Sequence, residues 1–230
     1  IMKHILIITS FGPSLINFRL PLIKEFLSRG YRVSVASPGV KFSEDLQKIL
    51  IDLGVNINIF SLSNTTLNVF KDFKTILEIF SIIKKSKPNI IISYTVKPTI
   101  YTGLVLKFFK QISFFPLITG LGYVFIAKNS TKHKILKYLI TNLYRVSLKS
   151  SAKIIFQNKD DQKLFYKLKI VEKKKLSDVV NGSGVDLKLF PVSNLPLEPV
   201  FLMISRLLFD KGVREYVEAA KIVRSRYPFA

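Results

Sequence analysis

The apolar positions of the chain fall into short β-branched runs that alternate with stretches of helical periodicity. A short apolar run is typical of a buried strand, whereas apolar positions three or four residues apart indicate a helix. Regular alternation of the two predicts an α/β fold built on a doubly wound parallel sheet. The predicted strands are Lys3–Thr9, Tyr31–Ala36, Val55–Phe60, Asn89–Ser93, Ile112–Ile118 and Lys153–Gln157.

The helices predicted between these strands have recognisable ends. The first ends at Gly30, which suits a helix C-cap, and its apolar side is formed by Ile16, Leu20, Ile23 and Leu27. Pro98 suits the first turn of another helix. The remaining helices are predicted at Ser43–Leu53, Leu67–Lys85, Ser130–Ser150 and Asp160–Leu168, and a less regular stretch follows at Val179–Gly184.

A proline-rich segment, Pro191–Pro199, is the best candidate for a domain boundary. We therefore predict an N-terminal Rossmann-like domain at residues 1–190, a linker at 191–199 and a second domain from residue 200. Val200–Ile204 is predicted as a strand, and a helix is predicted to begin at Gly212. A single βα unit cannot bury both faces of its strand, so we expect residues 200–230 to be the start of a truncated second domain.

The chain is strongly basic, with a formal net charge of +21. Such a charge favours nucleic acid, an anionic membrane or a phosphorylated substrate as partner. We do not expect nucleic acid, because no zinc finger, basic zipper or RNA-recognition signature is present. The basic segment Ser130–Ser150 is amphipathic, and it is either an ordinary sheet-covering helix or a helix that contacts an anionic membrane surface.

Several chemistries have no support in the sequence. The chain has no cysteine, which excludes disulfides, thiolate zinc sites and a cysteine nucleophile. Its two histidines, His4 and His133, lack metal-ligand spacing, so we expect no metal and no Ser-His-Asp catalysis.

The apolar segments predict neither a signal peptide nor a membrane span. The first apolar run lacks a small-residue cleavage site, and the longest one, residues 111–127, is broken by Pro116 and two glycines. We expect a cytoplasmic protein, with peripheral attachment to the inner face of the cytoplasmic membrane left open.

Charged residues follow the predicted strand of the second domain. Arg206 and Lys211 precede Gly212, where the amide groups of a helix N-terminus add partial positive charge. A guanidinium and an ammonium beside such a terminus could hold a diphosphate. A solvated loop would have the same composition.

The order Arg206-x4-Lys211-Gly212 after an apolar strand resembles the donor-diphosphate motif of the retaining glycosyltransferase family 4. Residues 11–22, 87–91, 119–125 and 182–190 are similar to segments of the same family in the same order. The last two resemble a subgroup that includes bacterial enzymes adding N-acetylgalactosamine or related sugars to undecaprenyl-diphosphate-linked saccharides.

This resemblance implies a GT-B fold of two Rossmann-like domains and a glycosyltransferase without metal or other cofactor. The donor would be a sugar nucleotide, UDP-linked, and the acceptor a lipid-linked or envelope saccharide. The first loop would approach the donor phosphates at Gly12, and Arg206 and Lys211 would hold the diphosphate. Acceptor-side positions would be Tyr94, Lys97, Gly120, Gly122 and Tyr123, and the catalytic residues stay unassigned.

Two departures from the family pattern matter. The histidine that many relatives have near Tyr94 is absent, and the Glu-x7-Glu motif would lie beyond Ala230. We therefore expect this chain alone to be inactive. Two alternatives stay open: a GT-B sugar-nucleotide 2-epimerase, which the scarcity of histidine disfavours, and a non-catalytic membrane-surface module using Ser130–Ser150.

Overall fold

The computed structural model describes residues 2–63, 68–125, 130–205 and 207–227. It divides into two compact units, Ile1–Val185 and Asp186–Ala230. Arg206 lies outside the described residues, and so does the side chain of Tyr123.

One parallel sheet organises the first unit. Its strands are β1 (His4–Ile8), β2 (Arg32–Pro38), β3 (Asn56–Phe60), β4 (Ile90–Tyr94), β5 (Ser113–Ile118), β6 (Ile154–Phe156) and β7 (Ser177–Val179). Their order across the sheet is β3-β2-β1-β4-β5-β6-β7, and every pairing is parallel. The predicted doubly wound parallel sheet is therefore confirmed.

Seven α-helices accompany the strands in the described residues. They are α1 (Pro13–Ser28), α2 (Glu44–Asp52), α3 (Val69–Ser86), α4 (Val96–Val105), α5 (Thr131–Ser147), α6 (Lys159–Lys167) and α7 (Val213–Arg226). Three of them begin at a side chain that accepts a hydrogen bond from a backbone N–H three residues later, namely Asn68, Ser130 and Asn158. None of the helices in the described part of the chain is both long and apolar enough to cross a bilayer.

The central strand β1 explains why this sheet has helices on both faces. Leu6 and Ile8 belong to a core shared with α3, α4 and α5, whereas Ile5 and Ile7 belong to a second core shared with α1 and α2. Alternate side chains of a strand point to opposite faces, so each face needs its own cover. This double burial also explains the uninterrupted apolar runs of the central strands.

The structure differs from the sequence prediction at two strands. Val200–Ile204 forms no strand, and four of its five side chains are largely exposed. A strand needs a hydrogen-bonding neighbour, and the described residues of the second unit contain none. The edge strand β7 was missed because Ser177-Asp178-Val179 holds a single apolar residue and gives no strand pattern.

Candidate functional site

The strand order places a crevice at the carboxyl ends of β1 and β4. The chain builds the sheet outward from β1 toward β3, then returns and continues from β4 on the other side. In open α/β sheets, ligands bind outside the carboxyl ends of the strands at such a reversal point. The loops that follow Ile8 and Tyr94 therefore form the candidate site.

Hydrogen bonds between side chains join these two loops. The hydroxyl groups of Ser14 and Tyr94 are 2.9 Å apart, although the residues are 80 positions apart in the sequence. Thr9 Oγ1 lies 3.4 Å from Ser14 Oγ. The backbone N–H of Ser10 donates to Thr95 Oγ1 at 3.2 Å. The floor of the crevice is thus lined by hydroxyl groups that hold each other in place.

Tyr94 is a buried part of this floor. Burial raises the pKa of its phenol, and the hydrogen bonds with Ser14 and Thr9 and the charge of Arg19 only partly oppose that rise. The phenol is therefore neutral at physiological pH and can both donate and accept a hydrogen bond. Tyr94 positions the walls of the crevice, and its own exposed surface is very small.

Thr95 has a backbone conformation that L-residues rarely adopt, with φ 70° and ψ 154°. Such strain costs about 1–3 kcal/mol and persists only where the surroundings enforce it. Here it turns the chain from β4 into α4 and aims the Thr95 hydroxyl at Ser10. Strained residues cluster at functional sites, and this one lies at the strand reversal.

Gly12 lies at the start of α1, at the carboxyl end of β1. Its φ of −53° is helical, so the backbone conformation does not require glycine. The lack of space requires glycine, because a Cβ at this position would lie 2.3 Å from the buried ring of Phe42. The absence of a side chain lets the loop after β2 pack against the helix N-terminus.

A buried guanidinium lies beside the crevice. Arg19 is 6% exposed, and its Cζ lies 4.8 Å from the centroid of the Tyr94 ring. It donates to Ser183 Oγ at 2.6 Å, while its Nε is buried without a hydrogen-bond partner. Burial lowers its pKa, and no carboxylate in the described residues forms a salt bridge with it.

Lys97 lies in the first turn of α4, and its ammonium is held by partners within the chain. It pairs with Asp72 Oδ1 at 2.8 Å and donates to the backbone oxygen of Ser63 at 2.7 Å. Both side chains of the pair are 15% exposed. Burial and the Asp72 carboxylate raise the pKa of the neighbouring Tyr101 well above its usual range. Contact between Lys97 and an acceptor stays a prediction.

The remaining predicted residues lie in other loops. Gly120 and Gly122 follow β5 with φ of 128° and 70°, conformations that favour glycine, and a Cβ on Gly122 would lie 3.4 Å from the side chain of Val96. Tyr123 begins a 3₁₀ turn after them. In the second unit, Lys211 ends a 3₁₀ turn and Gly212 starts α7 with φ 72°.

Open space adjoins the hydroxyl-lined floor. A cavity of about 350 Å³ opens beside Ser10 and Phe11 and is bounded by Lys41 and Ser63. A neighbouring cavity of about 750 Å³ shares several lining residues with it and extends to α3. Within the described residues, no three His, Cys, Asp or Glu side chains come together as a metal site.

Sequence reasoning missed Arg19 and Asp72. Arg19 could have been found, because Leu15, Arg19 and Ile23 are spaced by four and so share the buried side of α1. A charged residue on the buried side of a helix is unusual and therefore indicates a candidate functional residue. Asp72 gave no such signal, since its partner lies 25 residues further along the chain.

Together the all-parallel doubly wound sheet and the polar crevice at its reversal point define a Rossmann-like α/β domain. The model of the family described as "Glycosyl transferase 4-like" matches residues 6–158. The chain therefore belongs to the glycosyl transferase 4-like family.

Two curated relatives extend the match. The chain is 28% identical, over 95% of its length, to the N,N'-diacetylbacillosaminyl-diphospho-undecaprenol alpha-1,3-N-acetylgalactosaminyltransferase of Campylobacter jejuni. It is 27% identical, over 68% of its length, to the UDP-Gal:alpha-D-GlcNAc-diphosphoundecaprenol alpha-1,3-galactosyltransferase of Escherichia coli. The aligned regions span 60% of the first relative and 42% of the second.

Solved structures share the fold. A glycosyltransferase from Rickettsia africae superposes with a TM-score of 0.58 at 18% identity, over 85% of this chain and 47% of that one. The UDP co-structure of S. aureus MnaA gives a TM-score of 0.55 at 16% identity, over 86% of this chain and 50% of that one. At these identities the likeness concerns the fold alone.

Proposed function

We propose that the chain is the acceptor-side part, with the beginning of the donor-side part, of a retaining glycosyltransferase. The enzyme would transfer a hexose or N-acetylhexosamine from a nucleotide diphosphate, UDP-linked, to a hydroxyl group of an undecaprenyl-diphosphate-linked saccharide. The observation that carries this proposal is the alignment of 95% of the chain with the Campylobacter jejuni N-acetylgalactosaminyltransferase. Both curated relatives are transferases, which favours transfer over epimerisation.

The crevice geometry supports a sugar-binding role. The hydroxyl groups of Ser14 and Thr95 lie at the strand reversal beside the backbone of Ser10, and a hydroxyl group can both donate and accept a hydrogen bond, as the hydroxyl groups of a sugar do. The adjoining cavities of about 350 and 750 Å³ fall in the usual size range of small-molecule sites. Tyr94, Lys97, Gly120, Gly122 and Tyr123 are proposed for the acceptor side.

The proposed reaction needs no metal. The bond between the anomeric carbon and the diphosphate breaks, and the diphosphate leaves with the electron pair. The acceptor hydroxyl forms the new bond on the same face of the sugar, and its proton passes to the departing diphosphate. Arg206 and Lys211 are proposed to offset the charge that develops on the leaving group, because fixed cations stabilise such charge strongly. Gly12 is proposed to let the first loop approach the same phosphates.

The test is a transfer assay with the protein expressed as its gene encodes it. UDP-N-acetylgalactosamine or UDP-galactose labelled in the sugar is incubated with an undecaprenyl-diphosphate-linked saccharide in detergent and EDTA. The proposal expects label in the organic phase only when acceptor is present. Conversion of the sugar nucleotide to its 2-epimer without acceptor would instead establish the epimerase, and neither product with any UDP-sugar would overturn the transferase proposal.

A further inference from the structure

The buried guanidinium of Arg19 has hydrogen-bonding capacity that the described residues do not use. Its Nη1 donates to the backbone oxygen of Phe18 at 3.2 Å and to Ser183 Oγ at 2.6 Å. No hydrogen bond within the described residues involves Nε or Nη2, and Nε is closed off from solvent whereas Nη2 is not. The two N–H groups of Nη2 therefore remain for a ligand, although only 6% of the residue is exposed.

A charge in this position is unfavourable unless an anion accompanies it. A buried cation loses its hydration, and hydrogen bonds to neutral oxygens replace only part of it. The ring of Tyr94, whose centroid lies 4.8 Å from Arg19 Cζ, adds a weak attraction. None of the salt bridges in the described part of the chain includes Arg19. The described residues thus supply this guanidinium with no counter-ion.

The loops at the carboxyl ends of the strands contain no Asp or Glu in their described residues. These loop residues are 9–12, 39–43, 61–63, 95, 119–122, 157–158 and 180–185. The first turn of α1 also lacks an acidic residue, and its N-cap Gly12 makes no side-chain hydrogen bond. The partial positive charge of a helix N-terminus adds to that of the guanidinium. This edge of the sheet therefore favours an anionic ligand.

The contacts of Arg19 place its guanidinium beside the crevice. Tyr94 ends β4, and its hydroxyl lies 2.9 Å from Ser14 Oγ in the crevice floor. Ser183 lies in the loop that follows β7, and its Oγ also accepts a hydrogen bond from Gln157 at 3.3 Å. The guanidinium is thus held at the carboxyl ends of the strands, where the ligands of such sheets bind.

We propose that Arg19 binds a phosphate group of a diphosphate ester at the edge of the crevice, with Ser183 holding the guanidinium in position. A guanidinium matches the geometry of phosphate oxygens, and such charge-assisted hydrogen bonds are stronger than neutral ones. The inference rests on the proposed function and deepens it, because the sugar nucleotide and the lipid-linked acceptor of that reaction both carry a diphosphate. It adds a residue of the first unit to the contacts proposed for Arg206 and Lys211.

The experiment measures thermal unfolding, by circular dichroism, of the protein expressed as its gene encodes it. Two pairs of additives separate the sources of the diphosphate: UDP against uridine, and undecaprenyl diphosphate against undecaprenol in the same detergent. The parent protein should gain stability from a diphosphate and not from its phosphate-free counterpart, and the gain at each concentration gives the dissociation constant. The diphosphate whose affinity depends on Arg19 identifies the substrate that this residue contacts.

Arg19→Met retains an apolar stem and removes the charge. It should bind that diphosphate about tenfold or more weakly, because charge-assisted hydrogen bonds are lost. Without ligand it should be at least as stable as the parent, because a buried charge without a counter-ion has been removed. Arg19→Lys should recover part of the affinity, since it restores a cation. The control Arg29→Met, which removes an exposed cation at the C-cap of the same helix, should bind like the parent.

The opposite results would overturn the proposal. If neither diphosphate stabilised the parent, or if Arg19→Met bound both as the parent does, the guanidinium would contact neither. Equal loss in Arg29→Met would reduce the effect to net charge. An unliganded Arg19→Met protein less stable than the parent would show that the counter-ion is a group of the protein itself. Sugar transfer is assayed separately, so a protein that binds a diphosphate through Arg19 without transferring sugar would retain this inference and lose the proposed function.

Discussion

At the scale of single residues, the side chains that line the crevice are linked to one another by hydrogen bonds. Tyr94 is buried and neutral, its hydroxyl is fixed by Ser14, and the strained Thr95 receives a hydrogen bond from Ser10. A site that binds a flexible saccharide gains affinity when its own side chains are already ordered. The candidate crevice has this property in the described structure.

Gly12→Ala is the sharpest test of packing at this scale. The new Cβ would lie 2.3 Å from the buried Phe42 ring, while the backbone φ of −53° suits alanine. The substitution should therefore lower the free energy of unfolding by about 1–3 kcal/mol, the usual cost of overpacking. Urea denaturation followed by circular dichroism measures it.

The control for Gly12→Ala is Gly39→Ala, where the nearest atom to the new Cβ is 3.3 Å away, on the Ile59 side chain. We expect the control to lose much less stability. In the Phe42→Ala background, which removes the Cγ at 2.3 Å and the Cδ2 at 2.7 Å from the new Cβ, the cost of Gly12→Ala should shrink, because the two positions are in contact and their effects couple. An equal cost in both backgrounds would show that the Phe42 ring is not the cause.

At the scale of elements, one ion pair joins α3 to the start of α4. The Lys97 ammonium contacts Asp72 at 2.8 Å and also the backbone of the loop that follows β3. Lys97→Met would leave Asp72, whose side chain is only 15% exposed, without its cation. The free energy of unfolding should fall by about 2–3 kcal/mol, somewhat less than for a fully buried pair, because both side chains keep some exposure.

The matched control is Lys48→Met, which breaks an exposed i,i+4 pair with Asp52 on α2. Exposed pairs of this kind contribute about 0.3–0.5 kcal/mol, so its effect should be close to the limit of measurement. The double variant Lys97→Met/Asp72→Asn should recover much of the lost stability, since it removes the unpaired charge and leaves Tyr101 a hydrogen-bond partner. If the single and double variants were equally destabilised, the pair would not be the source of the effect.

The sequence correctly predicted the strands that have a strong hydrophobic pattern. It failed where the formation of a strand depends on a hydrogen-bonded neighbouring strand. The runs at His4–Ile8 and Ile90–Tyr94 are apolar because both faces of these strands are buried, so the pattern sufficed. Val200–Ile204 is equally apolar but has no neighbouring strand among the described residues of its unit. The contacts of the crevice, such as Ser14 with Tyr94, depend on the order of strands in the sheet, and local periodicity does not contain that order.

At the scale of the whole molecule, solvent exposure is unevenly distributed between the two units. Residues 186–204 are exposed almost throughout, and Val192, Leu195 and Leu197 are at least 88% exposed. The seven-stranded sheet, by contrast, holds both apolar cores, which lie wholly within residues 1–185. Backbone that takes part in few buried contacts opens at little free-energy cost.

Limited proteolysis should therefore cut the segment after Val185 first. Lys188 is exposed in that segment, and a protease can engage it without opening the sheet. Brief trypsin treatment followed by intact-mass analysis should yield a resistant fragment that contains the seven-stranded sheet and ends near Lys188. Lys132 and Lys134 of α5, though also exposed, should be cut later, because cleavage there requires the helix to unfold. First cuts within Thr131–Ser147 would mean that α5 opens more easily than the burial of its Ile140 and Tyr144 side chains implies.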